Sequence, residues 1–226
     1  MRKTKFNLQV IIAFFTILAL IFPSVTPSVL AQSIPQPETV TIAGTMQSEL
    51  GCDGDWMPSC AITNLTFDAN SGIWKGTFEV TPGNDQDKKG PRYKVALNGT
   101  WDENYGMNAK QGGADIPLVV DQPTMVTFYY DHKTHVITDD YNTPIIVAIG
   151  DFQTQLGCQQ NNDPACLRAW LQDPEGDGSF TFSTSALKAD TYSVALAISQ
   201  KNTTTTTDPT SFTVAKDNDE IFFGYD

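Results

Sequence analysis

The sequence predicts an all-β chain: two tandem immunoglobulin-like β-sandwich domains behind a secretory signal peptide. Three observations carry this expectation. One stretch of chain recurs at a fixed offset. Each recurring unit breaks into short runs of alternating apolar and polar residues separated by Gly, Pro, Asn and Asp. Past residue 31 no segment has the 3.6-residue apolar period of an amphipathic helix. About seven short strands per unit is the pattern of a sandwich.

The offset is 106 residues. It relates Gly44 to Gly150, Gly51 to Gly157, Cys52 to Cys158, Cys60 to Cys166, Leu65 to Leu171, Gly72 to Gly178 and Trp74 to Phe180. Beyond this block the register shifts: Tyr93-Lys94-Val95-Ala96-Leu97 returns as Tyr192-Ser193-Val194-Ala195-Leu196, now 99 apart. The expected division is a signal peptide over 1–31, a linker over 32–41, repeat 1 over 42–142 and a degenerate repeat 2 over 143–226.

The first 31 residues have a basic start (Arg2, Lys3, Lys5), an apolar core over 10–22, then Pro23 and Pro27. Val29-Leu30-Ala31 supplies small residues for cleavage after Ala31. The apolar core is short for a span of about 20 residues, so no membrane contact is expected after cleavage. Those residues hold three of the 14 basic side chains and none of the 26 acidic ones, so the net charge of −12 becomes −15 without them. Such a balance excludes nucleic acid, whose phosphates require a basic surface.

Strands are expected at 39–43, 65–67, 73–80, 93–98, 116–120, 124–130 and 134–138. The Asp68-Ala69-Asn70-Ser71-Gly72 turn joins the second and third as a hairpin. Repeat 2 shows a matching hairpin, 170–172 and 179–184, around Asp173 to Gly178. Strands at 192–196, 210–214 and 221–223 complete it. The Trp101 to Gly106 loop, within a long loop over 99–113, has no counterpart; Thr203 to Thr207 stands there, as if repeat 2 had lost an element.

All four cysteines fall in the two copies, seven residues between the members of each pair. In an exported chain this spacing favours Cys52–Cys60 and Cys158–Cys166 disulfides; zinc would want closer CxxC spacing and histidine ligands.

Two longer runs carry a resemblance: 46–56, from Met46-Gln47-Ser48 to Gly51-Cys52-Asp53-Gly54-Asp55-Trp56, and 93–106, from Tyr93-Lys94-Val95 to Trp101-Asp102-Glu103-Asn104-Tyr105-Gly106. Phe152-Gln153, Gly157-Cys158 and 166–174 add to it in repeat 2. Over nearly the whole chain past the signal, the sequence resembles the tandem accessory modules of bacterial pullulanases and amylopullulanases. The resemblance implies an immunoglobulin-like sandwich related to starch-binding modules, usually attached to an α-glucan hydrolase. The expected partner is therefore an α-glucan polysaccharide or oligosaccharide. No nucleophile motif, phosphate loop or paired catalytic carboxylate stands out. The chain is expected to be a secreted, non-catalytic glucan binder without cofactors. The alternatives are a structural spacer, or an accessory fragment of a larger secreted hydrolase.

Sugars present weakly apolar C–H faces ringed by hydroxyls, so their binders need exposed aromatic planes with hydrogen-bonding groups beside them. Trp101 and Tyr105 are the candidate planes; Asn104, Asp102 and Lys94 are the candidate polar partners. The competing reading of both rings is packing at the sandwich end. Trp56, between paired cysteines, is a further candidate plane, with packing on its own disulfide as the alternative. Trp74 and Trp170 read as packing residues. Asp173, Glu175 and Asp177 resemble half a calcium loop, but Thr184 stands where a closing Glu belongs, and a tight turn explains them. His132 and His135 read as a solvated hairpin tip.

Overall fold

The computed structural model describes residues 35–82, 90–201 and 203–226, so the expected signal peptide lies outside the described residues. Among the described residues repeat 1 has eight strands: β1 (Val40–Gly44), β2 (Thr66–Asp68), β3 (Ile73–Val80), β4 (Arg92–Leu97), β5 (Asn104–Tyr105), β6 (Ile116–Pro117), β7 (Thr124–Tyr130) and β8 (Ile137–Asp139). They form two facing antiparallel sheets, β1-β4-β5 with β6 beside β4, and β2-β3-β7-β8. Inward residues alternate along each strand, as a sandwich requires. Ile42 and Val95 from one sheet meet Val126 and Phe128 from the other, and all four are fully buried. Tyr93 lies edge-on to Phe128, centroids 4.9 Å apart, and its hydroxyl donates to Asp139 Oδ2 at 2.8 Å.

Repeat 2, over its described residues, has seven strands: β9 (Ile145–Gly150), β10 (Trp170–Leu171), β11 (Phe180–Thr184), β12 (Asp190–Gln200), β13 (Thr203–Thr206), β14 (Thr210–Val214) and β15 (Ile221–Tyr225). One sheet runs β10-β9-β12-β13 with β14 beside β12; the other is β11-β15. The chain is thus all-β, two tandem immunoglobulin-like sandwiches.

Several expectations are corrected. The first strand begins at Val40, inside the expected linker, and Gln36 of that linker accepts a hydrogen bond from Trp74 Nε1 at 2.9 Å. The threonine run of repeat 2 is itself a strand: β13 pairs with β12 over Ala197–Gln200, beyond the positions equivalent to those where β5 pairs with β4, because β-branched residues suit an exposed sheet edge. The repeat 2 hairpin is reduced to one bridge, Gln172 to Thr181; β10 instead ladders with β9 and β11 with β15.

The two repeats pack directly on one another. β9 is apolar at five positions and buried at all six. Ile146 and Ala148 face the core of their own sandwich, while Ile145, Val147 and Ile149 face outward. That outward face, with Leu167, Trp170 and Ala197, meets Ile73, Val136 and Tyr129 of repeat 1. Beside this seam a polar latch closes on the Asp68–Gly72 turn. Arg168 donates from Nε to Asn70 O at 2.9 Å and from Nη2 to Ala69 O at 2.8 Å. Ser71 Oγ donates to Ala165 O at 2.9 Å.

Candidate functional site

The outward face of β9 has a counterpart in repeat 1, the outward face of β1, where among the described residues no second sandwich packs, although Thr41 and Ala43 on it are themselves buried. Comparing the two copies position by position shows what changed. Val147, Ile149, Leu167 and Trp170 of the seam correspond to Thr41, Ala43, Ala61 and Asn64. Ser193 and Ala197 correspond to Lys94 and Asn98. The backbone repeats too, since Thr41 bridges Asn64 as Val147 bridges Trp170. The face that repeat 2 uses for packing is therefore small and polar in repeat 1.

Over this face lies the disulfide loop. Both predicted disulfides are present, Cys52–Cys60 and Cys158–Cys166, and no described cysteine is free. Each loop is also pinned by a fully buried glutamine. Gln47 Oε1 accepts from Met57 N at 2.7 Å and its Nε2 donates to Met57 O at 2.9 Å. Gln153 repeats this with Asp163 N at 2.8 Å and Asp163 O at 2.9 Å. Reasoning from residue chemistry passed over these glutamines, although their offset of 106 was a usable signal.

The pinned loop sets Trp56 at φ 58°, a left-handed conformation costly for a bulky side chain. Its ring has a second indole as a neighbour. It stands 6.4 Å from the Trp101 ring, tilted by 40°. Trp101 is 39% exposed at the β4–β5 turn, and Lys94 Nζ lies 5.9 Å from its centroid, within cation–π range. Asn104 Nδ2 donates to Trp101 O at 2.8 Å, and its Oδ1 is a buried acceptor without a hydrogen-bond partner. Asp102 is exposed at the loop tip, its N–H donating to Thr100 Oγ1 at 3.3 Å. Five of the six sequence candidates thus gather on one side of repeat 1.

Tyr105 does not. It is 7% exposed because β5 pairs it with Val95, whose side chain points into the core. Its ring stacks on His135 at 4.0 Å, so it is no platform. The same contact corrects the histidines. His132 is buried and His135 half-buried, so neither is a solvated tip. Tyr130 Oη lies 3.1 Å from Nδ1 of both rings. A phenol has one hydrogen, so one ring accepts from Tyr130 and the other donates to it. Tyr105 Oη is 3.4 Å from His135 Nε2 and donates to Glu103 Oε1 at 2.9 Å. Burial, then the neighbouring His132, holds the His135 pKa below its ordinary value, against the pull of Glu103 and Asp131.

Trp74 and Trp170 are buried at 8% and 4% exposure, as packing residues. Asp173 has both carboxylate oxygens engaged by its own turn, accepting from Gly176 N at 2.7 Å, Asp177 N at 3.2 Å and Gly178 N at 2.8 Å. The half-loop with Glu175 and Asp177 is a backbone turn, and among the described residues no three metal-ligating side chains converge.

A family model described as "Pullulanase X25 domain" matches residues 39–137 and again 145–226. The amylopullulanase of Thermoanaerobacter thermohydrosulfuricus is 35% identical over 122 residues, 54% of this chain and 8% of that protein. The amylopullulanase of Thermoanaerobacterium thermosulfurigenes is 36% identical over 126 residues, 56% of this chain and 6% of that protein. This chain spans less than a tenth of the length of those relatives. Among solved structures, the pullulanase from Bacillus acidopullulyticus aligns with a TM-score of 0.37 and 13% identity, over 76% of this chain and 28% of that one.

Proposed function

The chain belongs to the pullulanase X25 domain family, and we propose that it is a secreted, non-catalytic module holding α-glucan on the front face of its first repeat. The observation carrying this reading is the paired Trp56 and Trp101, set on a face whose copy in repeat 2 is an aliphatic packing surface. A face meant for another protein module would keep Val, Ile and Trp; this one has Thr41, Ala43 and Asn64 and gains two indoles. The rings supply planes for sugar C–H faces. Lys94 and the exposed Asp102 supply hydrogen-bonding groups, and a hydroxyl or water reaching Asn104 Oδ1 would satisfy an acceptor that otherwise costs about 1–3 kcal/mol to bury.

The tilt of 40° favours a curving chain. Successive residues of an α-1,4-glucan turn relative to one another, whereas a β-1,4-glucan offers a flat ribbon that suits coplanar rings. The amylopullulanase relatives support starch or pullulan as the polymer, and a place beside or within an α-glucan hydrolase. The extensive seam between the repeats favours one other reading, a rigid spacer that binds nothing.

Affinity electrophoresis in starch, pullulan and a β-1,4-glucan tests the proposal. Retardation by the two α-glucans only is expected. Unchanged mobility in all three would leave the spacer.

A further inference from the structure

The packing of the repeats leaves a back face of repeat 2 exposed, with Thr181, Ser183, Phe222 and Gly224 at the surface. Repeat 2 sits against the outward side of β3 and β7, through Ile73 and Tyr129. The corresponding strands of repeat 2 are β11 and β15, and among the described residues nothing covers their outward side. By strand register, Ser179 stands in place of Ile73 and Gly224 in place of Tyr129. The apolar receiving surface has again become small and hydroxylic, and again one large ring stands on it. Phe222 is 53% exposed, directly across from Ser183, and Thr181 lies across from Gly224. A side chain at Gly224 would meet the Phe222 ring at 3.4 Å, so glycine leaves that flank of the ring bare.

This surface is one wall of a groove of about 600 Å³ between the repeats, within the range of about 300–1,000 Å³ usual for small-ligand sites. The opposite wall is the β7–β8 tip of repeat 1, with Lys133 and Thr134 exposed. The charged groups deeper in are already engaged: Asp131 accepts from Gln172 Nε2 at 3.0 Å, and Arg168 holds the Asn70 carbonyl. What remains for a ligand is an aromatic face, the Thr181, Ser183 and Thr134 hydroxyls and one ammonium group. That set matches a neutral, polyhydroxylated ligand with an apolar face.

We propose that Phe222, with Thr181 and Ser183, forms a second saccharide subsite at the module junction, distinct from the Trp56–Trp101 face. The choice of α-glucan as its ligand rests on the reading above; the subsite itself rests on the groove. An apolar ring stacked on a sugar face is displaced from water, and the flanking hydroxyls exchange hydrogen bonds with the sugar hydroxyls.

The test is a maltoheptaose titration of the whole chain followed by NMR, reading the Gly224 amide and Thr181 methyl for this groove and the Trp101 indole for the front face. Saturable shifts at Gly224 and Thr181 are expected in a Trp101→Ala chain. Phe222→Ala should weaken them at least tenfold and Phe222→Tyr retain them; Phe222 is exposed, so the fold should tolerate both. Static Gly224 and Thr181 signals while Trp101 saturates would overturn the subsite and leave the front face standing. The same shifts in Phe222→Ala would also overturn it. Movement at Gly224 and Thr181 with a static Trp101 would uphold the subsite and sink the front-face reading; silence at all three would sink both.

Discussion

Trp56 and Asn162 occupy the same left-handed backbone position in the two repeats, at φ 58° and 56°. Each donates its N–H to the equivalent glycine carbonyl, Gly44 O at 3.2 Å and Gly150 O at 3.0 Å. Asparagine adopts this conformation readily, whereas a bulky residue there is strained by about 1 kcal/mol or more. Repeat 1 therefore carries a tryptophan where the fold favours asparagine. Trp56→Asn should leave the melting temperature unchanged or raise it, and should weaken starch binding about tenfold. A fall in melting temperature with undiminished binding would make Trp56 a packing residue.

The loop that aims Trp56 depends on Gln47. Gln47→Leu leaves the Met57 N–H and C=O without their partner, and each unsatisfied buried group costs about 1–3 kcal/mol. A destabilisation of about 2–4 kcal/mol follows if the groups only partly find water. Denaturant melts should show it, and Gln153→Leu should give a comparable loss through Asp163.

The seam predicts that the repeats melt together. Trp170 is 4% exposed, and Tyr129 lies 6.2 Å from its ring across the junction. Trp170→Ala should cost about 3–5 kcal/mol, as for other buried tryptophans, and should lower stability in both repeats. Calorimetry of the parent should give one transition; two transitions, only one of them moved by Trp170→Ala, would show independent domains.

His135 gives a pH dependence with a definite sign. Burial lowers its folded-state pKa, so the unfolded chain binds the proton first as pH falls below about 6.5. Its contribution is fully present above that pH and declines towards the folded value. Asparagine suits the left-handed φ of 61° at this position. His135→Asn should therefore flatten the loss of melting temperature as the pH falls below about 6.5. Parallel curves for parent and variant would remove His135 as a source of the slope.

Much of the fold was legible because repetition gives an internal comparison. The 106-residue offset marked the disulfides and the Leu65 and Leu171 core positions. Strand alternation placed β3, β4 and β7 almost to the residue, since each has one buried side. What stayed hidden depends on contacts distant in sequence. From the sequence Tyr105 reads as either an exposed plane or packing at the sandwich end; its pairing with Val95 turns it inward. Trp170 reads as packing, but nothing local says that it packs on another domain. The histidines lie on a turn by pattern, and the ring of Tyr105 that covers His135 comes from 30 residues away.

The central claim, glucan held on the Trp56–Trp101 face, is tested most directly by Trp101→Ala in the whole chain, with starch affinity and thermal melt measured together. Trp101 is 39% exposed, so its removal should spare the fold. Loss of an aromatic anchor of about 2 kcal/mol corresponds to roughly thirtyfold weaker binding. The account predicts a melting curve close to that of the parent and a starch affinity about thirtyfold weaker, the residual retardation being that of the Phe222 groove. A stable Trp101→Ala protein that binds starch as tightly as the parent would contradict it.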